Sequence, residues 1–292
     1  MLNGCYLGNL FRTLYAVFSK MNRYLTIFIL IFFPLTIQAG GDGDPAGASQ
    51  AGTGGISVFT NGIWSTHNNP AGLAKLTNPM IGLYIENRFL IKELFFNACS
   101  FALPVKNGGL GIAISHLGSG PYTNTFAGLA FGRGFGEKFS AGVRFDCYHV
   151  SFGSDYEQGT AVSFDAGIQW MISDKVTFAC NVFNPTRVKL SNISDEQLPS
   201  ILRAGFSYRP IPELVLMTEF GKTSGLDLVV NYGMEYIFDN KIFVRAGLSS
   251  DASKFSFGFG YVLDAFSIDV ATSWHQTLGF TPQASLAYTF FR

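Results

Sequence analysis

The sequence predicts an all-β fold, a transmembrane antiparallel barrel of about 14 strands with a small N-terminal hatch in its lumen. Three observations lead there. From residue 80 onward the chain breaks into segments of about ten residues in which apolar side chains alternate with polar or small ones, the two-residue period of a strand. Every second connection between these segments is tight and the others tend to be longer, as in a membrane barrel with an even strand number. Ahead of the strands stands a leader-like segment, then a stretch of small residues with no clean alternation.

The chain begins with residues 1–39, read as an upstream extension plus a signal peptide whose true start is Met21. MNRY from Met21 supplies positive charge, LTIFILIFFPLTI an apolar core, and Ile37-Gln38-Ala39 the small residue at which such leaders are cut. An uncleaved anchor is the competing reading; the short apolar stretch and Pro34 weigh against it. No Cys follows the cleavage site, which disfavours a lipoprotein.

Residues 40–79 form the expected hatch, dominated by Gly, Ala, Ser, Thr and Asn, with a brief alternation at Ile56-Ser57-Val58-Phe59. Within HNNPAGLAKL, Asn68 or Asn69 suits a helix cap and Pro70 a first helical position, where its missing N–H is not needed. A segment of such small side chains fits inside a lumen.

Residues 80–292 hold the barrel. Strands are expected at 80–88, 94–104, 109–117, 122–133, 138–151, 161–171, 175–184, 200–209, 213–222, 228–238, 242–249, 254–262, 266–275 and 282–291. Tight connections fall at Lys106-Asn107-Gly108, Phe135-Gly136-Glu137, Ser173-Asp174, Pro210-Ile211-Pro212, Asp239-Asn240-Lys241 and Leu263-Asp264-Ala265; 153–159 and 185–199 are longer. In 138–151, Phe139, Val143 and Phe145 share one face, and Ser140, Gly142, Arg144, Asp146 and Tyr148 the other. A soluble sandwich would turn the apolar face inward, and periodicity alone does not choose. The leader, the 30 Phe and the asymmetric connections favour a barrel with its apolar face outward, closed because a bilayer tolerates no open sheet edge.

Register adds a charge network for the lumen: Arg144, Asp146, Arg203, Glu219, Glu235 and Arg245. A turn centred on Ile211 sets Arg203 opposite Glu219, and one centred on Asn240 sets Glu235 opposite Arg245. Such pairs hold strands in register more often than they form an ion site.

Composition narrows the function. Acidic and basic residues balance at 20 each and no basic patch is visible, which argues against nucleic acid as a partner. Cys99, Cys147 and Cys180 remain after the leader, without CxxC or Cys/His spacing, so neither a disulfide framework, nor a metal site, nor a cofactor is expected. His67, His116, His149 and His275 accompany no nucleophile elbow or paired carboxylates, so no catalytic site is expected.

The run GASQAGTGGISVFTNGIWSTHNNPAGLAKL resembles the N-terminal hatch of the long-chain fatty-acid transporter (FadL) family and of the PorV/PorQ-like barrels of Bacteroidetes. In those families a Gly-rich run and an Asn-Pro-Ala-Gly-Leu signature precede the first of fourteen strands. The motif match covers roughly residues 45–76, and the remainder agrees in strand count and spacing. The resemblance implies an outer-membrane barrel in contact with lipid, passing or binding a hydrophobic ligand. Ile63, Trp64, Asn69, Pro70, Ala71 and Gly72 are then the hatch and ligand candidates. Its PorV-like side implies the alternative of a secretion or surface-attachment component, with protein partners of the secretion system meeting the outer loops, 185–199 above all.

Overall fold

The computed structural model describes residues 45–120, 122–153, 158–191, 197–251 and 254–290; the leader assigned to 1–39 and the terminal aromatic Phe291 lie outside them. Fourteen strands form one closed antiparallel barrel: β1 (Met80–Asn87), β2 (Phe95–Val105), β3 (Gly108–Leu117), β4 (Tyr122–Phe135), β5 (Phe139–Phe152), β6 (Gln158–Ser173), β7 (Val176–Phe183), β8 (Ile201–Ile211), β9 (Leu214–Thr223), β10 (Leu228–Phe238), β11 (Ile242–Ser249), β12 (Lys254–Leu263), β13 (Phe266–His275) and β14 (Gly279–Thr289). Each pairs with its chain neighbours, and β1 pairs with β14 to close the cylinder.

The polarity of the wall is inverted relative to a soluble sandwich. Phe145, Val162 and Phe257 are 64%, 66% and 62% exposed on the outside, whereas Arg144 and Asp165 on the inside are 2% and 1% exposed. Only a solvent as apolar as hydrocarbon makes that arrangement favourable. Cys99 and Cys147 lie on the outward face as free thiols, and Cys180 is half-buried, so the three behave as small apolar residues.

Three prolines sit within strands: Pro210 at the irregularity of β8 between Tyr208 and Ile211, and two where only one side of the strand is paired. Pro282 in β14 faces Thr272 of β13, but β1 has left the ladder at Glu86 opposite Gln283. Pro104 in β2 faces Gly109 of β3, while pairing with β1 ends at Ala102. A missing N–H is tolerated at such an edge. This is why the last strand begins at Gly279, three residues before its expected start.

Glu235 stands opposite Arg245, as the turn at Asn240 predicts. The other register differs from expectation. Arg203 faces Gly221, and Glu219 faces Gly205. Strand β8 continues through an irregularity between Tyr208 and Ile211, which moves the turn centre on to Pro212 and the partner by two residues. The shift preserves the inward face of both residues but separates the expected pair.

Candidate functional site

The hatch is a layer of short turns: a helix at Ala48–Gly52 and 3-10 turns at Ile63–Thr66 and Pro70–Lys75. Asn69 caps the last of these, its Oδ1 accepting the Ala71 N–H at 3.1 Å, with Pro70 at the first position. Ile56–Phe59 is not a strand; it runs into a turn at Val58 and Phe59, closed by the Thr60 N–H on the Ser57 carbonyl, and its other amides need partners from the wall.

The wall supplies them. The carboxylate of Glu219, 1% exposed, accepts the N–H groups of Ser57 at 2.8 Å and Val58 at 3.0 Å through Oε2. Gln169 donates through Nε2 to the carbonyls of Val58 at 3.1 Å and Thr60 at 2.9 Å, and Lys75 donates back to Gln169 Oε1 at 3.1 Å. Asn69 Nδ2 donates to the Val58 carbonyl at 2.7 Å, tying the two arms of the hatch together.

Arg144 is the strongest single anchor. Its Nε and Nη2 bind Asp146 Oδ1 and Asp165 Oδ2, both at 2.6 Å, while Nη1 donates to the carbonyls of Thr66, at 3.0 Å, and His67. One guanidinium therefore joins two wall carboxylates to the hatch backbone. Across the lumen Arg245 binds Glu235 and Asp269, each at 2.6 Å, reaching over Gly260; a Cβ there would stand 2.4 Å from Asp269 Oδ1.

Inward glycines bring wall and hatch to backbone contact. A Cβ at Gly142 would lie 2.4 Å from the Pro70 carbonyl carbon and 2.5 Å from the Ala71 nitrogen; at Gly247 it would lie 2.0 Å from the Gly54 nitrogen. No side chain fits at either place while the hatch is seated.

On the long-loop side of the hatch a chamber of about 150 Å³, lined by rings and alkyl groups but also by charged and amide side chains, opens between β2–β8 and the described part of the 185–199 connection. Its floor is His67 and Asn68, and its wall includes Phe96, Phe126, Tyr148 and Phe183. The rings pack edge-on or tilted: His67–Phe126 and Phe126–Tyr148 at 5.1 Å, Tyr148–Phe183 at 5.8 Å. Arg144 stacks on Phe126 at 4.9 Å and Arg88, paired to Glu86 at 2.9 Å, on Phe96 at 5.4 Å. The described part of the 185–199 connection turns its apolar residues inward: Leu190 and Leu198 are buried against this cluster. Asn184 fixes that path, its Nδ2 donating to the Leu198 carbonyl at 2.8 Å and its Oδ1 accepting the Val188 N–H at 3.2 Å.

Burial first, and then the charges of Arg144 and Arg203, push the His67 imidazole from 6.5 down to about 3. It is neutral at physiological pH, with Nε2 3.3 Å from Ser115 Oγ. Because the folded value is depressed, the unfolded chain binds the extra proton first. The contribution of His67 to stability is therefore complete above about pH 6.5 and is lost as pH falls towards 3. In a variant with Trp64 as sole tryptophan, hatch emission should begin to shift red below pH 6.5, and His67→Phe should flatten the upper part of that change. An identical profile in both proteins would show that His67 is not the group responsible.

Of the residues singled out from sequence, Ile63, Trp64, Asn69, Pro70, Ala71 and Gly72 are all buried in the seat of the hatch, and none lines the chamber. Trp64 packs edge-on against Tyr84 at 6.0 Å and Asn69 holds the Val58 carbonyl. Glu219 meets the hatch backbone. His116 and His149 lie on the outward face beside Thr125 and Thr160, and His275 accepts the N–H groups of Thr277 and Leu278 in a turn. Among the described residues no group of three or more His, Cys, Asp or Glu side chains could hold a metal ion. Asp165, Asp269, Gln169 and the chamber rings of Phe96, Phe126 and Phe183 escape sequence reading. Alternation places them inward, but the asymmetric 153–159 loop hides that Asp165 faces Arg144.

No family model and no curated protein matches the chain. Solved structures do. The toluene transporter TbuX of Ralstonia pickettii superposes with a TM-score of 0.68 at 13% identity over 85% of this chain and 99% of its own. A Pseudomonas aeruginosa FadL homologue gives 0.62 at 13% over 85% and 99%, and the monoaromatic hydrocarbon channel CymD 0.63 at 12% over 87% and 100%. The fold is that of the FadL-type channels. At these identities the likeness is one of architecture, a fourteen-stranded FadL-type barrel with an N-terminal segment in its lumen. These neighbours are a transporter, a channel and a FadL homologue, and nothing in them supports the resemblance to PorV/PorQ-like barrels.

Proposed function

We propose that the chain is an outer-membrane channel for small hydrophobic molecules, with monoaromatic compounds as the class its chamber fits. The observation that carries this reading is the ring-lined chamber of about 150 Å³ closed below by the hatch. A cavity of about 150 Å³ is large enough for a benzene-sized guest. Neighbours named as toluene transporters and hydrocarbon channels support it. The long-loop end then faces outside the cell and the tight turns face the periplasm. The hatch is the movable floor: Asn69, Pro70, Ala71 and Gly72 form the turn that must shift from Gly142 before a ligand passes, with Ile63 and Trp64 moving as part of the same packed layer.

Val150, 4% exposed on β5, lines the chamber, and Val150→Trp fills it from the rigid wall. Cells expressing this variant should take up labelled toluene at least about tenfold more slowly than cells with the unaltered protein, at equal levels of folded barrel. Uptake by the unaltered protein no faster than by cells without it, or uptake undiminished by the tryptophan, overturns the reading.

A further inference from the structure

One wall position of the chamber is at odds with a pure hydrocarbon guest. Asn124 lines the cavity from β4, yet its side-chain Oδ1 is buried with no hydrogen-bond partner among the described residues. Its cross-strand neighbours are Leu117 on β3 and Val150 on β5, and its same-face neighbours along β4 are Tyr122 and Phe126. These present mostly alkyl and ring surface. An amide oxygen left unmatched in such a place is destabilising. Were the chamber made only for toluene-like guests, an apolar residue would serve better at this position.

We infer that Asn124 is a specificity residue that accepts a hydrogen bond from the ligand, so that the preferred guest is a neutral monoaromatic carrying a hydroxyl donor, the phenol and cresol class. This rests on the reading of the chamber as the ligand site. The charges agree with a neutral guest. Arg88, Arg144 and Arg203 line the chamber, but the first two guanidinium groups are already held by Glu86 and by Asp146 and Asp165, and Arg203 is not free either. An aromatic carboxylate would bring its oxygens against an amide oxygen and the nearby Asp165. A phenol places its ring among Phe96, Phe126 and Tyr148 and its O–H on Asn124.

The test measures dissociation constants in phosphatidylcholine nanodiscs, corrected with empty discs, for toluene, p-cresol, 4-methylanisole and 4-methylbenzoate. The anisole keeps the oxygen but removes the donor. The unaltered protein should bind p-cresol roughly three- to tenfold more tightly than either toluene or 4-methylanisole, with 4-methylbenzoate weakest. Asn124→Leu should abolish the cresol preference and leave toluene binding equal or tighter, which also shows that the variant is folded. Asn124→Ser, which keeps an acceptor, should retain part of the preference. Equal binding of toluene, cresol and anisole, or a cresol preference that survives in Asn124→Leu, overturns this inference while the chamber keeps its role. Failure of all four to bind overturns the chamber reading itself, and the inference with it.

Discussion

Replacing Arg144 with Met should unseat the hatch and destabilise the barrel together, the largest effect expected of any single charge in the lumen. The guanidinium neutralises Asp146 and Asp165 and holds the carbonyls of Thr66 and His67, all in a region almost free of solvent. Removing one partner of a buried pair leaves uncompensated charge, a loss of about 3–5 kcal/mol, well above the about 0–1 kcal/mol of a surface pair. Two readouts separate the contributions. The urea midpoint for unfolding in liposomes should fall, and Trp64 emission should shift red before the barrel unfolds. Adding Asp146→Asn and Asp165→Asn should recover much of the midpoint, since no lone carboxylate remains, but not the Trp64 signal, since the two carbonyls remain unheld. A triple variant that restores both would mean that Arg144 balances charge without holding the hatch.

Gly142→Val is expected to open the lumen while leaving the barrel closed. The added Cβ meets the Pro70 carbonyl carbon and the Ala71 nitrogen at 2.4 and 2.5 Å, and both are backbone atoms with no rotamer in which to retreat. Overpacking of this kind costs about 1–3 kcal/mol or more, and the side able to yield is the short turn, not the hydrogen-bonded wall. Single-channel recording in planar bilayers should show conductance at least about tenfold above that of the unaltered protein, with unchanged heat-modifiable mobility on gels. Gly247→Val, aimed at the Gly54 nitrogen at 2.0 Å, should act alike from the opposite wall. Gly221 supplies the control: its nearest neighbour is the Val229 carbonyl at 3.9 Å, so Gly221→Ala should be silent. A quiet Gly142→Val channel would mean that the hatch can slide without opening a path.

The barrel was legible because its physics is repetitive. Each strand meets hydrocarbon on one side and a wet or packed lumen on the other, so the two-residue period is written fourteen times, and Ile242–Ser249 and Phe266–His275 fall where the pattern puts them. Pairings that depend on a turn were legible only where the turn is symmetric. The Asn240 turn yields Glu235 opposite Arg245, whereas the irregularity after Tyr208 defeats the same reasoning for Arg203. Contacts between hatch and wall were not legible. Glu219 and Ser57 lie 162 residues apart, and Arg245 reaches Asp269 across an intervening strand. No local spacing encodes either contact; both follow from closure. The chamber was hidden for a related reason: its rings come from different strands, and in a chain with 30 Phe no single aromatic stands out.

The position of the hatch bears on the order in which the molecule is made. Its first helix packs beside β11 to β14, where the Ala48 amide donates to Ser285 Oγ at 3.3 Å, while its last turn packs beside β3 to β6. It thus touches the earliest and the latest strands of the chain, on both sides of the β1–β14 junction. A cylinder sealed empty could receive it only by threading it in through an open end. The small-residue segment is best seen as a mandrel, around which the ribbon is wound and against which its two free margins are brought into register.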